Sequence, residues 1–254
     1  MLADRFDKIF VLTMSSRRDR QTGIFNMLKS IGYDPENISH LRKLETVYAT
    51  PWPYNEVITY YMNRAFSRKC FTKPNEYDCT RNHYGIIRQS LDLGYEKILV
   101  IEDDIRFLKP EYLSKMIEGI PENFDIVRFN GFTASQSAFN FIVCYNQGVS
   151  YIKNPATNLW TTGCYGLSRK GMEYYIHYIN ERLAVADYPF YAVPESLDYY
   201  VATLPVAIQA DKDEVPSDIR SKETDRIDYN RENCYEAKID KTWYLEYKIY
   251  ENRS

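Results

Sequence analysis

The sequence has no apolar run of about 18 residues, the length that a membrane-spanning helix needs. Its first residues, Met1 to Arg5, lead directly into strand-like sequence and lack the apolar stretch and small-residue cleavage site of a signal peptide. We therefore expect a cytoplasmic protein, with at most peripheral association at the inner face of a membrane.

An excess of charge of one sign is also missing. Lysine and arginine number 32 and aspartate and glutamate 35, a formal net charge of -3, so neither sign dominates the surface field. This balance argues against a nucleic-acid-binding protein. The content of 44% hydrophobic and 26% charged residues is that of an ordinary globular protein, and 254 residues are enough for one large α/β domain.

Cysteines are few and widely spaced, with no C-x-x-C pair: Cys70, Cys79, Cys144, Cys164 and Cys234. Their odd number and spacing argue against a disulfide framework, so we expect reduced, buried thiols. Cys79 and His83 have the spacing of one zinc-ligand pair, but no second pair accompanies them. The sequence therefore does not predict a zinc site.

Two continuous apolar runs, Ile9–Leu12 and Ile98–Ile101, are typical of parallel strands that are covered on both faces. Helical patterns accompany them, with apolar stripes at Ile24, Leu28 and Ile31 and at Tyr84, Ile87 and Leu91. Alternating strands and helices predict an α/β fold whose mostly parallel central sheet is flanked by helices. Further strands are predicted over 125–130, 139–145 and 160–167, and Ser168 is a plausible cap for a helix that follows.

Charge rises and apolar periodicity disappears between Asp211 and Glu236, while Trp243, Tyr247 and Tyr250 suggest a short final helix. We therefore predict one domain over residues 1–220 and a charged tail with a short helix, packed on that domain, over 221–254. Two irregular regions, 48–74 and 133–161, interrupt the domain; long loops of this kind are usually functional or disordered.

The acidic triplet Glu102-Asp103-Asp104 directly follows the second apolar run. The carboxyl ends of parallel strands are where open α/β sheets bind ligands. Two unit charges at about 4 Å cost on the order of 4 kcal/mol at an effective dielectric of 20, so a cation is needed between these carboxylates. Oxygen ligands of this kind suit Mg²⁺ or Mn²⁺. The alternative is a solvated acidic turn.

At this point the sequence resembles glycosyltransferase family 25, which includes galactosyltransferases of lipooligosaccharide biosynthesis and relatives of the collagen galactosyltransferases. The resemblance covers about residues 8 to 220. The segments that carry it, in the order and spacing of the family, are Phe10–Arg20, Asn75–His83, Leu99–Asp104, Thr161–Gly171, Pro194–Asp198 and Ser217–Ile219.

Membership implies a GT-A type (Rossmann-like) fold, a UDP-sugar donor that is often UDP-galactose, Mn²⁺ or Mg²⁺, and inversion at the anomeric carbon. The acceptor would be an oligosaccharide or glycolipid of a cell-surface glycan. Glu102 and Asp104 would bind the metal, with Asp104 the direct ligand, and Asp198 would be the catalytic base. Donor contacts would come from Thr13, Arg17, Arg20, His83, Asp103, Thr162 and Ser217.

The sequence departs from the family at three positions: Asp78 and Thr161 replace glycines, and Asn82 replaces a serine. One alternative is therefore a catalytically degenerate member that binds carbohydrate. Another is a metal-dependent nucleotidyltransferase or phosphohydrolase, although a glycine-rich phosphate loop with lysine and a second carboxylate and histidine cluster are not evident. Arg17 and Arg20 could instead be solvated, and His83 could be a structural residue.

Tyrosine is abundant, with 24 residues. Its ring can stack on a sugar while its hydroxyl bonds to sugar hydroxyls. We expect this role for the tyrosines that fall in or beside the two irregular regions: Tyr48, Tyr54, Tyr60, Tyr61, Tyr145 and Tyr151.

Overall fold

The computed structural model describes residues 2–13, 17–33, 41–43, 74–130, 135–155, 161–182, 184–191, 193–210 and 239–246. The predicted donor contact Ser217 lies outside these ranges. So do four tyrosines of the first irregular region: Tyr48, Tyr54, Tyr60 and Tyr61.

Strands and helices alternate through most of the described chain. The strands are β1 (Lys8–Leu12), β2 (Leu41–Lys43), β3 (Lys97–Glu102), β4 (Ile105–Phe107), β5 (Ile126–Arg128), β6 (Tyr151–Lys153), β7 (Cys164–Ser168), β8 (Tyr199–Ala202) and β9 (Ala207–Gln209). The α-helices are α1 (Arg18–Ser30), α2 (Pro74–Asp92), α3 (Pro110–Glu118), α4 (Ser135–Asn146) and α5 (Arg169–Arg182). Short 3₁₀ turns occur at Leu2–Arg5, Tyr188–Phe190 and Lys241–Trp243.

The central sheet has the strand order β2-β1-β3-β7-β5-β8-β6. Strands β1, β2, β3, β5 and β8 run in one direction, while β7 and β6 run antiparallel to their neighbours. Strands β4 and β9 form a separate antiparallel pair. The predicted α/β fold with a mostly parallel sheet flanked by helices is confirmed.

The middle of this sheet is fully covered, as the continuous apolar runs predict. The side chains of Ile98 to Ile101 have no exposed area, and those of Ile9 to Leu12 are buried. Helix α1 buries Ile24 and Leu28 against the same core. Each such aliphatic side chain contributes about 1.5–3 kcal/mol to folding.

A polar cluster around the buried Asp125 fixes the start of α5 at the amino-terminal edge of the parallel strands. The Ser168 hydroxyl accepts from the Gly171 amide at 3.2 Å, which confirms the predicted cap, and donates to Asp125 at 3.0 Å. The second carboxylate oxygen of Asp125 accepts from Lys170 and from the Asp198 amide, both at 2.9 Å. Burial opposes ionisation of Asp125, but these donors hold its pKa below the ordinary value.

One predicted strand is wrong. Residues 139–145 belong to helix α4, on which Phe141 is buried. A short apolar run cannot be assigned to strand or helix by periodicity alone, because both can be buried on all sides.

The described part of the predicted tail, residues 239–246, packs on the domain. Tyr244 is buried, donates its hydroxyl to the Pro205 carbonyl at 2.8 Å and forms an antiparallel bridge with Leu108. Three cysteines in the described ranges, Cys79, Cys144 and Cys164, are free thiols. Within the same ranges, none of the helices combines the length and apolar character needed to cross a bilayer.

Candidate functional site

Several chain segments meet at the carboxyl-terminal edge of the parallel strands. Strand β3 ends at Glu102, and a turn at Asp103 and Asp104 leads into β4. Because β7 is antiparallel, its start lies at this edge, so the Glu102 amide donates to the Gly163 carbonyl at 2.7 Å. Thr13 follows β1 at the same edge, since Leu12 pairs with Glu102. The topology thus places these predicted site residues together.

The Glu102 carboxylate is held by two side chains. Its Oε1 accepts from the Thr162 hydroxyl at 2.6 Å and from His83 Nε2 at 3.1 Å. Burial works to raise the pKa of Glu102, but the bonds from His83 and Thr162 outweigh it and hold the pKa below its ordinary value. Glu102 is therefore an ionised, oriented carboxylate at neutral pH.

His83 is completely buried behind Glu102. Its Nδ1 lies 2.7 Å from the Tyr165 hydroxyl, so both ring nitrogens have partners. This arrangement fixes the ring plane and aims Nε2 at the carboxylate. His83 is thus a positioning residue for Glu102.

Asp103 and Asp104 converge on Arg20. Arg20 Nη1 lies 3.2 Å from Asp103 Oδ1 and 3.9 Å from Asp104 Oδ2, and the arginine is buried. Because Asp103 and Asp104 lie in a turn, the strand rule that sends consecutive side chains to opposite faces does not apply to them. The alternative of a solvated Arg20 is wrong, while Arg17 pairs instead with Asp19 at 2.7 Å.

Asp104 is the least compensated of the three carboxylates. Burial, together with the charges of Glu102 and Asp103, raises its pKa to about 7, against the opposing effect of Arg20. Its Oδ2 accepts from Gln209 at 3.4 Å, whereas its Oδ1 is buried without a hydrogen-bond donor from the described residues. A buried oxygen of this kind calls for a cation or a further donor.

Three further residues of this edge were missed by the sequence reasoning. Fully buried Arg128 donates to the Thr161 carbonyl, and its guanidinium lies 4.6 Å from the centre of the Phe190 ring. Asn130 donates to the Thr161 hydroxyl at 3.1 Å. The available signal was that Arg128 and Asn130 end a predicted strand.

Thr161 has a φ of +75°, in the left-handed region that favours glycine. A β-branched residue there costs on the order of 1–3 kcal/mol, which the bonds from Arg128 and Asn130 offset. Glycine, which the resemblance leads one to expect at this position, would relieve this backbone strain.

Asp187 is the third missed residue. Its Oδ2 accepts from the Tyr191 hydroxyl at 2.6 Å and from the Thr161 amide at 3.4 Å. Thr162, the next residue, donates to Glu102. This half-buried carboxylate therefore lies at the same edge as the acidic turn, in a segment after α5 that carries no sequence motif.

Asp198 does not lie at this site. In the sheet register Tyr199 pairs with Ile126, Ile126 with Leu167, and Leu167 with Ile98. Asp198 is therefore level with the start of β3, about 16 Å from Glu102 along the strands and three strands away. There it forms a partly exposed ion pair with Lys153 at 2.6 Å. A base must reach the proton that it removes, so the prediction that Asp198 is the base does not fit this geometry.

Tyr145 and Tyr151 contact α3 rather than the acidic turn. The Tyr145 ring lies 4.7 Å from the Lys115 ammonium, and the Tyr151 hydroxyl donates to the Met116 carbonyl at 2.9 Å. The predicted sugar-stacking role is therefore wrong for these two tyrosines.

A second feature of the site is a mixed group of possible metal ligands. One donor atom each from Cys79, His83 and Glu102 lies within 4.8 Å of the others. Burial raises the pKa of the Cys79 thiol well above its ordinary value, and the charges of Glu102 and Asp187 raise it further. The zinc pair that the sequence left incomplete thus gains a third candidate ligand from β3.

No family model matches the chain, and no curated protein matches it. Among solved structures, the chain is similar to the crystal structure of mannose-1-phosphate geranyltransferase from Thermus thermophilus. The identity is 14%, over 81% of this chain and 76% of that chain, with a TM-score of 0.37. A similarity this distant does not identify the function of the chain.

Proposed function

We propose that the protein is a metal-dependent, inverting glycosyltransferase of the family 25 type. It would transfer a hexose, galactose in the first instance, from a UDP-sugar to an oligosaccharide or glycolipid acceptor of a cell-surface glycan. The main support for this proposal is that the buried Oδ1 of Asp104 accepts no hydrogen bond from the described residues. It lies beside two other carboxylates at the ligand-binding edge of the sheet.

This donor set fits Mn²⁺ or Mg²⁺, which take carboxylate oxygens and complete their coordination with water and phosphate. Asp104 would be the principal protein ligand, and Glu102 the second. When bound, the cation would neutralise the negative charge that develops on the departing nucleoside diphosphate.

Arg20 and His83 position the carboxylates. Arg20 is bonded to Asp103 and lies near Asp104, so it sets the side-chain conformation of the acidic turn. The bond from His83 Nε2 holds Glu102 in place. Both side chains are buried, which supports an indirect role in donor binding rather than direct contact with the diphosphate.

Inverting transfer also needs a base that takes the proton of the attacking acceptor hydroxyl. We assign this role to Asp187 in place of Asp198. The Tyr191 hydroxyl and the Thr161 amide fix its orientation, and Thr162 links it to Glu102. No covalent enzyme nucleophile is needed for a single inverting displacement.

Asp187→Asn should lower kcat by about 10²- to 10⁴-fold, the usual contribution of a general base, and leave donor binding unchanged. The matched control is Asp198→Asn, the same substitution at the opposite edge of the sheet, which should leave kcat unchanged. Steady-state transfer assays and donor titrations would measure both. A loss of kcat in Asp198→Asn with full activity in Asp187→Asn would contradict the assignment.

The donor is tested by a binding screen of UDP-, GDP- and CMP-sugars, each with and without Mn²⁺. We expect a UDP-hexose to bind only when Mn²⁺ is present. Absence of binding for every nucleotide sugar under both conditions would overturn the proposed function. Metal-dependent binding without any transfer or hydrolysis would instead identify the carbohydrate-binding alternative.

A further inference from the structure

Behind the acidic turn, two elements bring a thiol, an imidazole and a carboxylate to one point. Cys79 and His83 lie one helical turn apart on α2 and so share a face of the helix. Glu102 ends β3, against which that face packs through the His83 bond. The three donor atoms lie within 4.8 Å of one another, which is close enough for one ion to bind all three.

The histidine is already oriented as a metal ligand would be. Its Nδ1 lies 2.7 Å from the Tyr165 hydroxyl, and its Nε2 faces Glu102 at 3.1 Å. Metal-bound histidines almost always use their second nitrogen for a hydrogen bond that fixes the ring. The Tyr165 hydroxyl accepts that bond when the ring proton is on Nδ1, so an ion between Nε2 and the Glu102 carboxylate would need a change of tautomer but no rotation of the ring.

The chemistry of the donor set selects the ion. A thiolate with an imidazole and a carboxylate suits Zn²⁺, whereas Mg²⁺ and Mn²⁺ prefer oxygen ligands. The negative charges of Glu76, Asp104 and Asp187 also act on the Cys79 thiol. Burial and these charges favour the protonated thiol, so a cation that binds there has to displace the thiol proton, and its charge then stabilises the thiolate.

We propose that Cys79, His83 and Glu102 form a zinc site with three protein ligands and one open coordination position. This ligand number is that of catalytic rather than structural zinc sites. The site shares Glu102 with the Asp104 cation site but holds an ion of its own, and it does not depend on the proposed glycosyl transfer. Its fourth position would accept water or an oxygen of a bound substrate.

The test measures the zinc bound to the purified protein, by equilibrium dialysis followed by mass spectrometry of the metal. We expect one Zn²⁺ per chain. Cys79→Ser should weaken binding by more than the roughly 10- to 100-fold that loss of an outer-shell partner costs, and Tyr165→Phe should weaken it within that range. With Co²⁺ in place of Zn²⁺, the thiolate charge-transfer absorption should be present in the wild type and absent in Cys79→Ser.

Two control variants replace a cysteine and a histidine outside the proposed site. They are Cys144→Ser on α4 and His177→Gln on the exposed face of α5. Both should keep full zinc binding. Circular dichroism melting of every variant separates loss of the ligand from loss of the fold. Failure of the wild type to bind stoichiometric zinc would overturn the proposal. So would zinc that Cys79→Ser retains and Asp104→Asn loses, because the ion would then belong to the acidic turn.

Discussion

Asp104→Asn should weaken Mn²⁺-dependent binding of the nucleotide sugar by about 100-fold or more. The substitution removes the charge from the carboxylate whose buried Oδ1 lacks a described hydrogen-bond donor. Removing one partner of a buried charge pair costs about 3 kcal/mol or more, on the order of 100-fold in affinity. Isothermal titration of the UDP-hexose at saturating Mn²⁺ would measure the loss.

Unfolding should not account for that loss. In the metal-free protein, burial and the neighbouring carboxylates raise the pKa of Asp104 to about 7, so the folded state disfavours its ionised form. A carboxyl with a raised folded pKa reduces stability as the pH rises above its unfolded pKa. The neutral asparagine avoids this cost, and the free energy of unfolding at pH 8 should be at least that of the wild type.

The matched control for this variant is Asp92→Asn, on the exposed surface of α2, where the carboxylate pairs with Arg88. Exposed pairs of this kind contribute about 0–1 kcal/mol, and this one lies apart from the acidic turn. Sugar-nucleotide binding that keeps wild-type affinity in Asp104→Asn and still requires Mn²⁺ would remove Asp104 from the metal site.

Gly171→Ala should be the most destabilising of the substitutions considered. A Cβ atom at Gly171 would lie 2.0 Å from the carbonyl oxygen and 3.0 Å from the carbonyl carbon of Asp125. Both atoms are backbone, so α5 would have to move away from β5. Overpacking of this kind costs about 3 kcal/mol, which exceeds the roughly 1 kcal/mol that alanine gains over glycine in helix propensity.

Urea denaturation would measure this change. The comparison is Glu173→Ala, two residues further along α5, where the side chain is exposed and the substitution should change the free energy of unfolding by less than about 0.5 kcal/mol. If Gly171→Ala were as stable as the wild type or more stable, the close approach of α5 to β5 would be refuted.

The parts of the fold that depend on local sequence were predictable. Ile98–Ile101 is continuously apolar because β3 is covered on both faces, and Ser168 precedes α5 as a cap because its hydroxyl reaches the Gly171 amide. The segment 139–145 was not predictable in this way. Its apolar residues suit a strand or a helix equally, and packing in the folded chain decides between them.

Without the resemblance, which named Arg20, His83 and Thr162, the candidate site was predictable only where its residues are adjacent in sequence. Glu102 and Asp104 follow a strand directly, so their place at a sheet edge could be inferred. Arg128 and Asp187 reach the site because β7 reverses direction between β3 and β5, and strand order cannot be read from spacing. Asp198 was assigned to the wrong edge of the sheet for the same reason, because the order of motifs along the chain does not say at which edge a residue lies.

The reversed strand also bears on how the protein acquires its activity during folding. Strand β7 pairs with β3 and with β5, and its partners in β3 lie about 70 residues earlier in the chain. Closing so long a loop costs chain entropy before the contacts between the strands can stabilise the pair. This pairing should therefore form late. Until it forms, Glu102 has neither Thr162 nor Tyr165 near it. The site is therefore completed in the step that joins the two halves of the sheet, because Glu102, Asp104 and His83 come from one half, and Thr162 and Asp187 come from the other.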